Sequence, residues 1–526
     1  MNGARRGFSL MFASALLSVV AVPVARAQVT RADVLFGGLS ARTAQLAYQQ
    51  RGGDMKPIEP LMAEAANPAT DPVTAYRDWT HAILLMNGTG WTPATELRTA
   101  IDFSIQPKVL GTNEYLQSRA TFLFDAPPVA DPPYRLELDI LKSDGTNEAS
   151  VESGIVLGDV RGRRGGETIG RTFDPSKLVG PGLHMLRATL KDGHGVTSYQ
   201  YYRTFAIVPD LTKRLDTLEK TLELLPDQKS TAALTARWVM ERVKLARHTY
   251  LGGNFQNLVG YLYGSYRVVG LGLGEAMDFD SELERASKLA TALQEGRDPL
   301  EGAKGDLHLA YRSTFDGSLV PYRIYLPSKY EKSEKYPLIM LLHGAGGDEN
   351  DFFDRYSKLW PKLAEQHGCI LAAVNGRGPV SFYAKQNGGE QDVLRVLDLV
   401  EKNYSIDSTR EYLAGHSMGG LGTWTIGLEY RDRFAALGPI AGTRDSPALE
   451  TALASSGRKL PIFIICGGQD ALIPATGCRP VAEKAKSLGY SIKYEEYRNE
   501  GHLSVAVVSV PALFDWFVSQ HMEVRH

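Results

Sequence analysis

The feature that most constrains this chain is the hexapeptide Gly415-His416-Ser417-Met418-Gly419-Gly420. The run Glu411-Tyr412-Leu413-Ala414 leads into it as a strand, and Leu421 to Tyr430 follow with the composition of a helix. A serine with glycines two positions away on either side, at such a junction, sits on a turn too tight for larger neighbours. Its hydroxyl then projects above the sheet, and the following helix start favours negative charge that develops nearby. Ser417 is therefore the candidate nucleophile.

A serine hydroxyl needs a base to become nucleophilic. The histidines after Ser417 are His502, His521 and His526, and the last two belong to the chain end. His502 sits in Asn499-Glu500-Gly501-His502-Leu503, just past a predicted strand at Ile492 to Tyr497, and is the candidate base. A carboxylate must orient that imidazole. Asp470 closes Gly467-Gly468-Gln469-Asp470, directly after the apolar run Pro461 to Cys466. It lies 53 residues after Ser417 and 32 before His502, one strand-helix-strand step on each side. Asp445, beyond an apolar run ending near Ala441, is the competing acid.

Negative charge on a tetrahedral intermediate needs backbone donors. The Met418 amide is one candidate. The other comes from His343-Gly344-Ala345-Gly346-Gly347, after the fully apolar run Leu338 to Leu342, with the amide of Ala345 or of its neighbour Gly344 as donor. His343 reads as a prop beneath that loop.

Around these motifs the periodicity changes along the chain. From about residue 305 to 526, apolar strand-like runs alternate with helical stretches such as the one marked by Val393, Val396, Leu397 and Val400. This pattern predicts a mostly parallel, doubly wound α/β sheet. Residues 211–304 read as helical, with Leu211, Leu215, Leu218 and Leu222 on one face. Residues 101–210 hold short alternating runs between turn signals at Asp144-Gly145, Pro181-Gly182 and Asp192-Gly193, the pattern of an immunoglobulin-like β-sandwich. Residues 28–100 are weakly patterned, with Pro57, Pro60, Pro68 and Pro72 breaking the chain.

The first 27 residues read as a signal peptide: Arg5 and Arg6, an apolar run from Leu10 to Val22, and Ala25-Arg26-Ala27 before the cleavage site. The run is short of the ~20 residues a membrane span needs, so no stable anchor is expected. Arg5 to Leu10 also resembles a twin-arginine export signal, and both export routes stay open. The expected location is the periplasm or the medium. A net charge of −2 argues against a nucleic-acid partner. Cys369, Cys466 and Cys478 make no disulfide framework. Cys369 and Cys466 read as buried small hydrophobes, and one bridge to Cys478 stays open. No His/Cys cluster has zinc-ligand spacing.

Taken together, His343-Gly344-Ala345-Gly346-Gly347, the Asp392-Val393 helix, Ile406 to Arg410, the hexapeptide around Ser417, Phe434-Ala435-Ala436 and Gly467 to Asp470 resemble the polyhydroxybutyrate-depolymerase, feruloyl-esterase and acetylxylan-esterase group of α/β-hydrolases. The resemblance spans roughly residues 305–520. It implies a serine esterase that uses no cofactor. Ser417, Asp470 and His502 would be its triad, and the amides of Ala345 and Met418 its oxyanion hole. The substrate would be an ester, as a small molecule or attached to a polymer. Asp407 and Arg410 read as a structural pair. Tyr383 and Trp360 are candidates to line a pocket for an aromatic acid. The same machinery cleaves amides, so a peptidase of prolyl-oligopeptidase type is the second reading. Oligomeric state is not encoded in these patterns.

Overall fold

A computed structural model describes residues 29, 31–50, 52–127, 134–142, 147–156, 164–248, 278–470 and 472–522. The leader read at residues 1–27 lies outside them. No helix among the described residues is long and apolar enough to cross a membrane.

The chain forms two compact units. One holds the described residues up to Lys220 together with 239–248 and 278–287; the other holds 221–238 and the residues from Lys288 onward.

The first unit opens with four helices, Arg31–Gln50, Glu59–Ala66, Pro72–Met86 and Pro93–Ala100. Pro60 and Pro72, expected to break the chain, sit instead in first helical turns. Proline lacks only an N–H that is unpaired there anyway, and its fixed φ suits the helix start. Asp71 caps the third helix, accepting from the Val73 and Thr74 amides at 3.0 Å each. Two sheets follow. β1 (Ile101–Gln106), β3 (Leu116–Phe122) and β6 (Thr168–Phe173) form an antiparallel one. The other has the order β2-β8-β7-β4-β5, from β2 (Val109–Leu110), β8 (Thr197–Ile207), β7 (Gly182–Lys191), β4 (Arg135–Lys142) and β5 (Asn147–Val156). Phe103 and Phe122 of the first sheet share one core cluster with Leu138, Leu186, Tyr201 and Phe205 of the second.

The second unit is an eight-stranded sheet in the order β16-β15-β14-β13-β11-β12-β10-β9. These strands are β9 (Gly305–Arg312), β10 (Leu319–Leu326), β11 (Tyr336–Leu342), β12 (Ile370–Val374), β13 (Ile406–His416), β14 (Ala436–Ile440), β15 (Ile462–Gly467) and β16 (Ile492–Tyr497). From β12 to β16 every pairing is parallel, and the β9–β10 hairpin closes one edge antiparallel. Strands covered on both faces need apolar residues at every position, and the period of two sorts them. Leu338, Met340 and Leu342 enter one core with Val393, Val396 and Trp424 of the helices Gly389–Asn403 and Met418–Glu429. Ile339 and Leu341 enter the other with Trp360, Leu363, Leu513 and Phe514 of the helices Leu359–His367 and Val510–Val518. Helices on both faces of a mainly parallel sheet make this region an α/β-hydrolase fold, as expected.

Candidate active site

The expected nucleophile lies where β13 gives way to the helix Met418–Glu429. Ser417 there has φ 57° and ψ −116°, a conformation L-residues avoid. Its amide is held by the Ile440 carbonyl of the neighbouring strand at 2.9 Å. The glycines are steric requirements. A Cβ on Gly420 would lie 2.8 Å from the Gly442 Cα, and one on Gly419 would overlap the Leu342 carbonyl.

His502 Nε2 is 2.8 Å from Ser417 Oγ, and His502 Nδ1 is 2.8 Å from Asp470 Oδ2. The other Asp470 oxygen accepts from the Leu472 and Ile473 amides at 2.8 and 2.9 Å. Both Asp470 and His502 are buried. Their two loops are stitched together, since the Gly468 amide donates to Tyr497 O and the Gln469 amide to Glu500 O, each at 2.9 Å. The close approach explains the paired glycines. A Cβ on Gly467 would lie 2.6 Å from Glu500 O, and one on Gly468 2.6 Å from Arg498 O. Asp445, the competing acid, is exposed.

The loop after β11 stands beside the nucleophile. A Cβ on Gly344 would be 3.4 Å from Ser417 Cβ. The Gly347 amide closes a turn onto Gly344 O at 3.1 Å, and Gly346 donates to Pro379 O at 2.7 Å. Gly344 is buried under this turn and Ala345 is exposed at its tip. His343 is buried, its ring nitrogens 2.8 Å from Gly344 O and Asn375 O.

Sequence reasoning missed His416, the variable residue of the hexapeptide. It is buried, with Nε2 2.8 Å from the His502 carbonyl and Nδ1 2.9 Å from the Tyr356 hydroxyl. Burial pushes its pKa down to about 3, so the ring is neutral at working pH. It ties the nucleophile's strand to the base's own backbone. Its only sequence signal was its place beside Ser417, because Tyr356 is 60 residues away.

The two aromatic residues considered for a pocket are packed inside instead. Trp360 is 0% exposed and stacks edge-on with Phe352, and Tyr383 is 2% exposed and donates to His343 O at 3.0 Å. Their neighbour Phe382 is 43% exposed, and its amide lies 3.4 Å from Met418 Sδ. Phe382 and Tyr383 both have left-handed φ, 51° and 52°. Such strain in bulky residues persists only where surrounding contacts impose it.

Cys369 is a buried free thiol, as read. Cys466 is buried too, but it is bridged to Cys478 rather than a plain hydrophobe. The bridge brackets the loop that carries Asp470. Arg410 Nε pairs with Asp407 Oδ2 at 2.7 Å.

Residues 316–477 match the family described as "Putative esterase". A bifunctional acetylxylan esterase/xylanase of Neocallimastix patriciarum is 30% identical over 148 residues, 28% of this chain and 21% of that protein. A probable dipeptidyl-peptidase 5 of Aspergillus clavatus is 33% identical over 132 residues, 23% of this chain and 18% of its own. A poly(3-hydroxybutyrate) depolymerase of Ralstonia pickettii is 33% identical over 146 residues, 24% of this chain and 29% of that one. The chain thus spans less than a third of the length of each. Among solved structures, a fluorophosphonate-binding serine hydrolase of Staphylococcus aureus is 20% identical, covering 41% of this chain and 100% of that one, with TM-score 0.36.

Proposed function

We propose that this chain, an α/β-hydrolase of the esterase family in its C-terminal region, hydrolyses carboxylic esters through an acyl-enzyme on Ser417. The observation that carries the reading is the continuous line Ser417 Oγ, His502, Asp470, with both links at 2.8 Å. His502 Nε2 takes the hydroxyl proton as Ser417 Oγ bonds to the ester carbonyl carbon. The carbonyl electrons move onto oxygen, and the amide N–H groups of Met418 and of Ala345 or Gly344 donate hydrogen bonds to the oxyanion so formed. As the intermediate collapses, the C–O bond to the alcohol breaks and the leaving oxygen takes the proton from His502. Water then attacks the acyl-enzyme, giving its proton to His502, and the acid leaves as Oγ is reprotonated. Asp470 holds the imidazole in the tautomer this requires and stabilises the imidazolium.

Cleavage of an amide is the second reading, favoured by the dipeptidyl-peptidase likeness over 132 residues. The two are separated by comparing a chain-length series of nitrophenyl esters and methyl ferulate with an aminoacyl nitroanilide, on wild type and Ser417→Ala. Ester turnover that vanishes in the variant supports the esterase. Anilide turnover with feeble ester activity overturns it.

Residues 1–27 are read as a cleaved export leader, on their basic start, apolar run and Ala25-Arg26-Ala27, which makes the working location periplasmic or extracellular. Amino-terminal sequencing of the exported protein tests this, with Gln28 expected first. The two sheets of residues 101–207 are read as an immunoglobulin-like sandwich, on their shared core and a length near that of such domains.

A further inference from the structure

The mechanism leaves unused a groove of about 640 Å³ within the C-terminal unit. It lies between the segment Gln228–Arg237, the end of β9 and the helix Gly389–Asn403. Lys229, Arg237, Arg312, Arg395 and Lys402 all line it, and no aspartate or glutamate does. Arg395, Leu399 and Lys402 recur at helical spacing, so one helix face supplies a whole wall.

These cations are not consumed by the fold. None of the five makes an ion pair among the described residues. The recorded side-chain bonds of Arg237 and Arg312 go to neutral oxygens, Gln228 Oε1 at 3.4 Å and Gly317 O at 2.8 Å. Elsewhere in the same unit Arg323, Arg410, Arg433 and Arg479 each hold a carboxylate. The chain carries more acidic than basic residues, 60 against 58, so the want of a counter-charge here is local.

The walls are held in place. The Ala310 amide of β9 donates to Thr235 Oγ1 at 2.9 Å, which clamps the helix beginning at Thr231 onto the strand. Ser230 Oγ accepts from the Ala233 amide at 3.3 Å, so this helix start, with its partial positive charge, borders the same groove. Leu234, Leu399 and Tyr311 add apolar surface, and Gln228 and Asn403 add amide groups. Converging like charges repel one another, and an anion that enters relieves the repulsion while gaining charge-assisted hydrogen bonds.

We propose that this groove is a binding site for a ligand carrying two or more oxyanion groups, carboxylate or phosphate. The source is either a small polyvalent anion or the acidic groups along a carbohydrate chain. The lining suits both, because their recognition chemistry is shared.

The test is isothermal titration of the full chain at roughly 0.15 M ionic strength, where weak surface attraction is largely screened. The probes are inorganic phosphate, citrate and an oligogalacturonate. Saturable binding is expected, weakened tenfold or more by the pair Arg395→Glu and Lys402→Glu. The pair Lys332→Glu and Lys335→Glu, exposed in the loop before β11, makes the same change in net charge and should leave binding intact. A thermal melt of each variant reports folding. If the reversal pair melts early, Arg395→Gln with Lys402→Gln carries the same reading. Binding of the oligomer alone identifies a carbohydrate chain, and binding of all three probes identifies a small anion. No saturable binding to wild type, binding that survives the reversal, or equal loss in the control pair overturns the proposal.

Discussion

Asp470 spends both of its oxygens, one on His502 and one on two backbone amides. Asp470→Asn keeps the shape but offers His502 Nδ1 a group that can donate, which favours the wrong imidazole tautomer. We expect kcat to fall roughly 10⁴-fold, as for such triads in general, with KM little changed; steady-state kinetics on one nitrophenyl ester check it. Phe382 is the exposed aromatic beside Met418. Phe382→Ala is expected to lower kcat/KM for bulky aromatic esters by roughly tenfold, the worth of one apolar contact of this size, and to spare acetyl esters. An equal loss on both would mean that the residue only holds its loop. Glu411, buried on the strand below the nucleophile, has Oε2 without a hydrogen-bond partner. Burial and the nearby Glu401 push its pKa up from 4.5 to about 9. A carboxyl with a raised folded pKa favours the fold fully below pH 4.5, and that contribution is lost as pH rises through 9. Glu411→Gln should therefore stabilise the protein by about 1–3 kcal/mol at pH 8–9, with little effect at pH 4, in denaturant melts across that range.

At the scale of elements, the loops after β15 and β16 behave as one unit. They are sewn together by backbone hydrogen bonds and anchored from behind by Cys466–Cys478. Replacing both cysteines by alanine should cost about 2–4 kcal/mol of stability, the usual range for a closed loop. It should also lower kcat more than it raises KM, because it frees the loop that carries Asp470. What the sequence disclosed at this scale follows from spacing. The turn at Ser417, the Gly467 to Asp470 turn and the glycine loop after β11 are each encoded within a few consecutive residues, and the order of serine, acid and base along the chain follows from where these turns and His502 fall. The missed features depend on distance or on local backbone twist. His416 meets a tyrosine 60 residues away. Which of Phe382 and Tyr383 faces out is decided by two successive left-handed residues that no periodicity betrays. Pro60 and Pro72 misled because proline punctuates a chain both where a helix ends and where one starts.

For the whole molecule, the two units raise separate questions. The second brings Ser417, His502 and Asp470 together, and it also holds the cationic groove. The first supplies two sheets and the helices around them, and their contribution to substrate choice is a matter for experiment. Specificity belongs to sites rather than to folds, so activity on soluble and polymer-attached versions of the same ester, measured on the full chain, is the comparison that matters. A marked preference for the attached ester, abolished by the groove variants, would join the two sites in one task.

The bridge has one more consequence. Both of its sulfurs belong to residues with no exposed surface, so an oxidant reaches them only while the chain is still folding. A molecule that folds in a reducing compartment would seal in two thiols and carry them unchanged across any membrane it is later threaded through whole. One that crosses unfolded and folds in an oxidising space would arrive linked. Counting thiols in denatured protein from the exported fraction then reads back the itinerary: three per chain means folding came before export, and one means it came after.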